Sequence, residues 1–134
     1  MGRSGAAVAS YRKVLAIVDG LAAADSANAL LQSHLAETLI ELSGLLEKTG
    51  RRAEARPMRA RGMLLLKQQA DRPQATPADM TMYANALLQY TNDAHSASEA
   101  VTYARKAIAA TSSADPRRLD TLARAEQNLK RFKQ

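Results

Sequence analysis

The sequence predicts an all-α fold of about six antiparallel helices packed in pairs. Three observations lead there: apolar residues recur at intervals of three and four, no segment alternates in the manner of a strand, and small residues return at a fixed spacing where neighbouring helices would touch. The chain has 134 residues, 46% of them hydrophobic and 24% charged, which is one globular domain's worth of material.

The helices are expected at 5–24, 27–49, 52–71, 77–91, 96–112 and 116–131. The first carries Leu15, Ile17, Val18 and Leu21. In the second, Leu31, Leu35, Ala36, Leu39, Leu42, Leu45 and Leu46 form one apolar stripe, so this is a long amphipathic helix. The third holds Met63-Leu64-Leu65-Leu66 as core, and Pro57 lies several positions inside it, which predicts a kink or a late start. The fourth opens on Thr76-Pro77-Ala78-Asp79, where a capping hydroxyl precedes a proline at the first helical position. A turn over Asn92-Asp93-Ala94-His95 leads into the fifth, with His95 expected in the loop. Asp115-Pro116 starts the sixth with a carboxylate cap.

Three segments align on small or packed anchors. Ala7, Tyr11 and Val14 correspond to Ala55, Arg59 and Gly62, and again to Ala100, Ala104 and Ala107, at +4 and +7 each time. On the alternate helices, Leu42-Ser43 with Leu46 corresponds to Tyr83-Ala84 with Leu87 and to Leu122-Ala123 with Glu126. This pattern resembles the tetratricopeptide repeat, whose helix pairs carry a large-small pair, an aromatic three residues on, and an alanine in the second helix. More narrowly, Tyr11-Arg12-Lys13-Val14-Leu15-Ala16-Ile17, Leu35-Ala36-Glu37 and Leu119-Asp120-Thr121-Leu122-Ala123 are similar to the long-helix arrays that follow bacterial serine/threonine kinase domains. The chain departs from the family in three ways. Ala7 to Ala55 is 48 residues and Ala55 to Ala100 is 45, against about 34 in the standard repeat; Arg59 and Ala104 stand where an aromatic is usual; and so does Glu126.

The resemblance implies a right-handed α-solenoid within one domain: a half repeat at 1–25, repeats at 26–72 and 76–112, and a terminal half repeat at 115–134. Its implied function is a non-catalytic scaffold that binds a peptide or partner helix along a groove, as the tail of a signalling-kinase array or as a free-standing adaptor. In such arrays the first helix of each pair lines the groove. Transferred to this chain, Glu37, Ile40, Gly44, Glu47, Thr81, Asn85 and Leu88 become the groove candidates. Of the four positions matching the family's carboxylate clamp, Ile40, Gly44, Thr81 and Asn85, only Asn85 fits, so no such clamp is expected.

Charge sorts by helix. Segment 26–50 carries one basic and three acidic residues and 73–95 none and two, whereas 51–72 has seven and two. The groove is therefore expected to prefer a neutral or basic protein or peptide. The positive excess falls on Arg51, Arg52, Arg56, Arg59 and Arg61, read as a solvated outer face. Nucleic-acid binding is disfavoured, because no Phe, Tyr or Trp stands between Arg51 and Arg72 to stack on bases. Terminal Lys130-Arg131-Phe132-Lys133 reads as a frayed end. Self-association is the alternative expectation, through Leu15, Ile17, Val18 and Leu21 on an uncapped first helix.

Chemistry for catalysis is missing from the pattern. With no cysteine there are no disulfides and no thiolate metal ligands. His34, Glu37 and Glu41 share a helical face, yet one face supplies at most three ligands. No catalytic residue, metal or cofactor is expected. Arg12, Lys13 and Asp19 interrupt every apolar stretch near the start that could serve as a signal sequence, and no run approaches a membrane span, so a cytoplasmic location is expected.

Overall fold

The computed structural model describes residues 3–111 and 115–133. Among them lie six helices and no strand: α1 (Arg3–Ala24), α2 (Ala29–Lys48), α3 (Arg52–Ala70), α4 (Pro77–Tyr90), α5 (Ala94–Ala109) and α6 (Pro116–Lys133). The all-α class is as the periodicity requires. The chain divides into two compact units, Met1–Leu66 and Lys67–Gln134, with the division inside α3.

Helix boundaries follow local chemistry. Asn28 accepts from the Leu30 and Leu31 amides to start α2. At the other end Gly50 takes φ 83°, a conformation only glycine adopts without strain. Arg51 N–H then donates to Leu46 C=O at 2.8 Å and Gly50 N–H to Glu47 C=O at 3.1 Å, the paired bonds that close a helix C-terminus. Thr76 and Asp79 form a reciprocal capping box ahead of Pro77. Asp93 caps α5 through the Ser96 amide, so that helix begins at Ala94 and His95 belongs to its first turn, not to a loop. The helix also stops at Ala109, short of the expected 112, a position outside the described residues. Pro57 does not delay α3, which starts at Arg52 and continues through it. At the sixth residue of α3, the proline removes the one bond its amide would have donated to the Ala53 carbonyl.

In the first unit α1, α2 and α3 share one core. Val8, Leu42, Leu46 and Ala55 are buried together, with Tyr11, Leu15, Leu45 and Met58 packed around them. A second cluster joins Ala22, Leu35 and Leu39 to Leu15, Val18 and Leu65. On α1, Val8 and Ala22 are buried, with Leu15 packed half-buried between them; of the Ala7-Tyr11-Val14 set, Tyr11 packs against the core and Val14 is exposed. Leu64 likewise points outward, whereas Leu66 is buried.

At Gly62, α3 approaches α2 closely. A Cβ placed there would lie 2.9 Å from both Ile40 Cδ1 and Cγ1 and 3.3 Å from the Ala36 carbonyl oxygen. Alanine would raise helix propensity by about 1 kcal/mol, but the contact cancels that gain unless Ile40 turns away. Gly62→Leu, which cannot be accommodated so easily, is expected to destabilise by about 1–3 kcal/mol. Ile40→Val in the same chain should recover part of that loss by removing the crowded methyl. Urea titration of the two single variants and the double variant checks this; strictly additive effects would show that Gly62 and Ile40 do not touch.

In the second unit α4 packs on α5, and α6 packs on both. Ala100, Ala104 and Ala107 are buried on α5, as are Tyr83, Ala84 and Leu87 on α4. On α6 the buried positions are Thr121 and Ala125, one before and two after the expected Leu122-Ala123 pair, and Ala123 is exposed. The Tyr83 and Tyr103 rings meet edge to face at 4.8 Å and 88°. The Tyr83 hydroxyl donates to Glu99 Oε2 at 2.8 Å, the Tyr103 hydroxyl donates to Asp71, and Lys67 Nζ lies 3.3 Å from Glu99 Oε2. Burial, and then the facing carboxylate, pushes both phenol pKa values far above the usual tyrosine value.

Candidate functional site

Three of the seven groove candidates come together in the second unit. Thr81, Asn85 and Leu88, with Asn92 just beyond the helix, follow one another at i, i+4, i+7 and i+11 along the α4 side facing α6. Opposite them, Arg117, Arg124 and Arg131 repeat at i, i+7 and i+14, which places them in one row along α6. The two rows are cross-linked. Asn85 Oδ1 accepts from Thr121 Oγ1 at 3.1 Å and from Arg124 Nη2 at 2.9 Å, and Asn92 Oδ1 accepts from Arg131 Nη2 at 2.6 Å.

Two open pockets lie along this seam. One of about 340 Å³ includes Thr81, Asn85, Arg117, Arg118 and Thr121. The other, about 630 Å³, is lined by Leu88, Arg124, Gln127, Asn128, Lys130 and Arg131. The groove is consequently basic. Arg117 and Arg118 share one carboxylate, Asp115, at 3.4 and 3.2 Å, and Arg124 pairs with Asp120 at 3.2 Å. Lys130 makes no ion pair among the described residues. The amide of Arg117 donates to Asp115 at 2.9 Å and holds that carboxyl below the ordinary aspartate range. Lys130 and Arg131 are no frayed end: α6 continues to Lys133, and the Arg131 guanidinium stacks 5.0 Å from the Phe132 ring.

The remaining candidates are in the first unit and behave differently. Glu37 and Gly44 are half-buried on α2. Ile40 is only 9% exposed, held against Gly62, so no groove ligand can reach it. Glu47 turns toward α3 and is hydrogen-bonded to Arg59, whose guanidinium holds that carboxyl below the usual glutamate range. The basic face is accordingly split. Arg51, Arg52 and Arg56 are exposed, and the last two border a pocket of about 460 Å³ beside Glu47 and Lys48. Arg59 is turned inward, and Arg61 grips Asp19 of α1 with bonds of 3.2 and 2.8 Å. Most of the Arg59 side chain is buried, and the Glu47 carboxylate pairs with its charge there.

Of the expected self-association set, Leu15 and Val18 are packed in the core, while Ile17 is 63% and Leu21 51% exposed. His34, Glu37 and Glu41 do not gather as ligands; no group of three His, Asp or Glu side chains close enough for a metal occurs among the described residues. The Glu41 carboxylate instead faces the Tyr11 hydroxyl and raises that phenol's pKa. No helix among the described residues is long and apolar enough to cross a membrane.

The row of arginines on α6 was open to sequence reading, since a repeat of seven is visible in the letters. What concealed it was the choice of α2 and α4 as the groove-lining helices, with the net positive charge of 115–134 assigned to no groove. No family model, curated protein or solved structure matches this chain.

The carboxylates held low by their partners set a direction for acid stability. Asp93, bonded to the Ser96 amide and hydroxyl, Asp19 on Arg61, Asp115 and Glu47 all have pKa values depressed in the folded chain. A depressed folded pKa means stability fully present above the unfolded value, near 4 for these groups, and lost as pH falls through the folded values. Thermal melts are expected to be level from about pH 7 to 5 and to fall below about pH 4. Asp93→Asn keeps a capping oxygen and should flatten its share of that fall. A melting temperature that drops already between pH 7 and 5 would contradict this assignment.

Proposed function

We propose that this chain is a non-catalytic docking module of the tetratricopeptide type, its helix pairs stacked as a right-handed solenoid and a peptide or partner helix received in the groove between α4 and α6. The observation that carries the reading is the burial of the repeat anchors on α2, α3, α4 and α5. Ala55, Ala100 and Ala107 are wholly buried and Gly62 meets Ile40, while Leu42-Ser43-Leu46 and Tyr83-Ala84-Leu87 are buried in matching positions. Small residues at these points let helices approach closely, which is what a stacked array needs. The groove adds open volume with polar, unreactive walls, suited to holding a chain and not to transforming one.

Selection of random linear peptides on the full-length protein tests this. Selected peptides should shift amide resonances of 81–92 and 117–131, and Leu88→Asp should weaken them at least about tenfold without lowering the melting temperature. Failure to select any peptide above background, or binding indifferent to Leu88→Asp, would overturn it.

A second reading, self-association, is favoured by Val14, Ile17 and Leu21, exposed at 44%, 63% and 51% on one side of α1. Spacings of three and four put them in a single stripe. It predicts a mass that rises with concentration in sedimentation equilibrium and returns to the monomer value in Ile17→Asp.

A further inference from the structure

We infer that the α4–α6 groove takes an extended acidic peptide whose carboxylates recur at every third residue, an inference that rests on the docking role proposed above. Arg117, Arg124 and Arg131 stand seven residues apart on one row of α6. Seven residues of α-helix rise about 10.5 Å, so the three guanidinium groups are anchored about 10 Å apart over about 21 Å. An extended polyproline-type chain rises about 3.1 Å per residue with three residues per turn, which puts every third side chain on the same side, about 9.3 Å apart. The two repeats match, and a seven-residue peptide spans the ladder.

Each arginine keeps donors to spare. Arg117 is 89% exposed and reaches Asp115 only at 3.4 Å, and Arg124 is 53% exposed with Asp120 and Asn85 as partners. A guanidinium has five N–H donors, so these contacts orient the groups without exhausting them. The Asn92 and Phe132 contacts orient Arg131 in the same way. Between the arginines, Gln127 and Asn128 present primary amides to the pocket, each able to donate to and accept from a peptide bond.

The charge spacing favours a peptide over a nucleic acid. One strand of B-DNA carries a phosphate about every 3.4 Å of axis, roughly three charges for each arginine of this row. The expected preference for neutral or basic partners came from α2 and α4 alone; α6 reverses its sign in this unit.

The test uses the full chain at low salt with a fluorescein-labelled peptide, Glu-Pro-Ser-Glu-Pro-Ser-Glu, read by anisotropy. Three comparison probes are the same peptide with Gln for Glu, a peptide of the same composition with its glutamates contiguous, and a ten-nucleotide oligothymidylate. The spaced acidic peptide should bind at least about fivefold tighter than either peptide comparison, and weaken with added salt. Arg117→Gln, at the most exposed position, and Arg124→Gln should each weaken it about two- to fivefold, as exposed ion pairs do, with Arg52→Gln leaving it unchanged. Equal binding of the contiguous peptide overturns the spacing, and tighter binding of the oligonucleotide through the same arginines overturns the choice of a peptide. If the Gln peptide binds equally well and shifts the same resonances, acidic selectivity falls and the docking role stands; if none of these peptides moves those resonances while a library-selected peptide does, the acidic inference alone falls, and if neither does, both fall.

Discussion

Leu42→Ala is expected to lower the unfolding free energy by about 2–5 kcal/mol, among the largest effects a single apolar truncation can have in this chain. Leu42 has no exposed surface and lies where three helices converge, with Val8 of α1, Leu46 of its own helix and Ala55 of α3 around it. Two of those neighbours are small or β-branched, with little reach to fill a void. The loss therefore includes both the transfer of the removed carbons and the cavity they leave. Ser43 beside it is also fully buried, but its hydroxyl donates to the Ile40 carbonyl at 2.7 Å, so no polar group is released when Leu42 is cut back. Leu42→Met, which nearly conserves volume, should cost less than about 1.5 kcal/mol. Leu30→Ala, at a site 67% exposed, should change stability by no more than about 0.5 kcal/mol. Urea titrations followed by circular dichroism decide it: if Leu42→Ala costs no more than Leu30→Ala, the three-helix core is wrongly drawn.

The leucine stripe explains why so much of the fold could be read in advance. Leu35, Leu39, Leu42 and Leu46 announce both a helix and its buried face, because one period controls both. The caps at Thr76 and Asp115 were equally plain, each being a short polar side chain ahead of a proline. Register failed where the helix is apolar on more than one side. In α1 the stripe Val8-Leu15-Ala22 and the stripe Val14-Ile17-Leu21 compete, and composition alone does not say which faces α2 and α3. The candidate site was legible by half. Thr81, Asn85 and Leu88 follow from helix spacing, yet their meaning depends on which helix lies opposite, and that is a tertiary fact. Ile40 shows the reverse case: its position in the expected repeat suits a groove, but the close contact at Gly62 leaves no space there. Arg59 and Glu47, twelve residues apart on different helices, form a pair that no local pattern could announce.

Tyr83→Ala is expected to cost the second unit about 3–5 kcal/mol, and Tyr83→Phe far less, about 0.5–1.5 kcal/mol. The ring is 5% exposed and edge-on to Tyr103, so truncation loses both its buried area and an aromatic pair that contributes about 0.5–1.5 kcal/mol on its own. Removing only the hydroxyl leaves Glu99 without a donor from α4, but Lys67 at 3.3 Å still balances that carboxylate. Tyr103→Phe should be milder again, because its acceptor, Asp71, is exposed and water can replace the lost bond. The same geometry fixes the alkaline behaviour. Both phenols have folded pKa values raised by burial and by a facing carboxylate, so the stability they contribute is complete below their ordinary value of about 10 and is lost as pH rises through the folded values. Tyrosinate absorbance near 295 nm should therefore appear for these two rings together with loss of helix signal. In Tyr83→Phe the loss of helix should move to higher pH, since one of the two groups that penalise the folded state on ionisation is gone. Titration of Tyr83 and Tyr103 near pH 10 with the helices intact would show that the paired rings are open to solvent and do not hold α4 against α5.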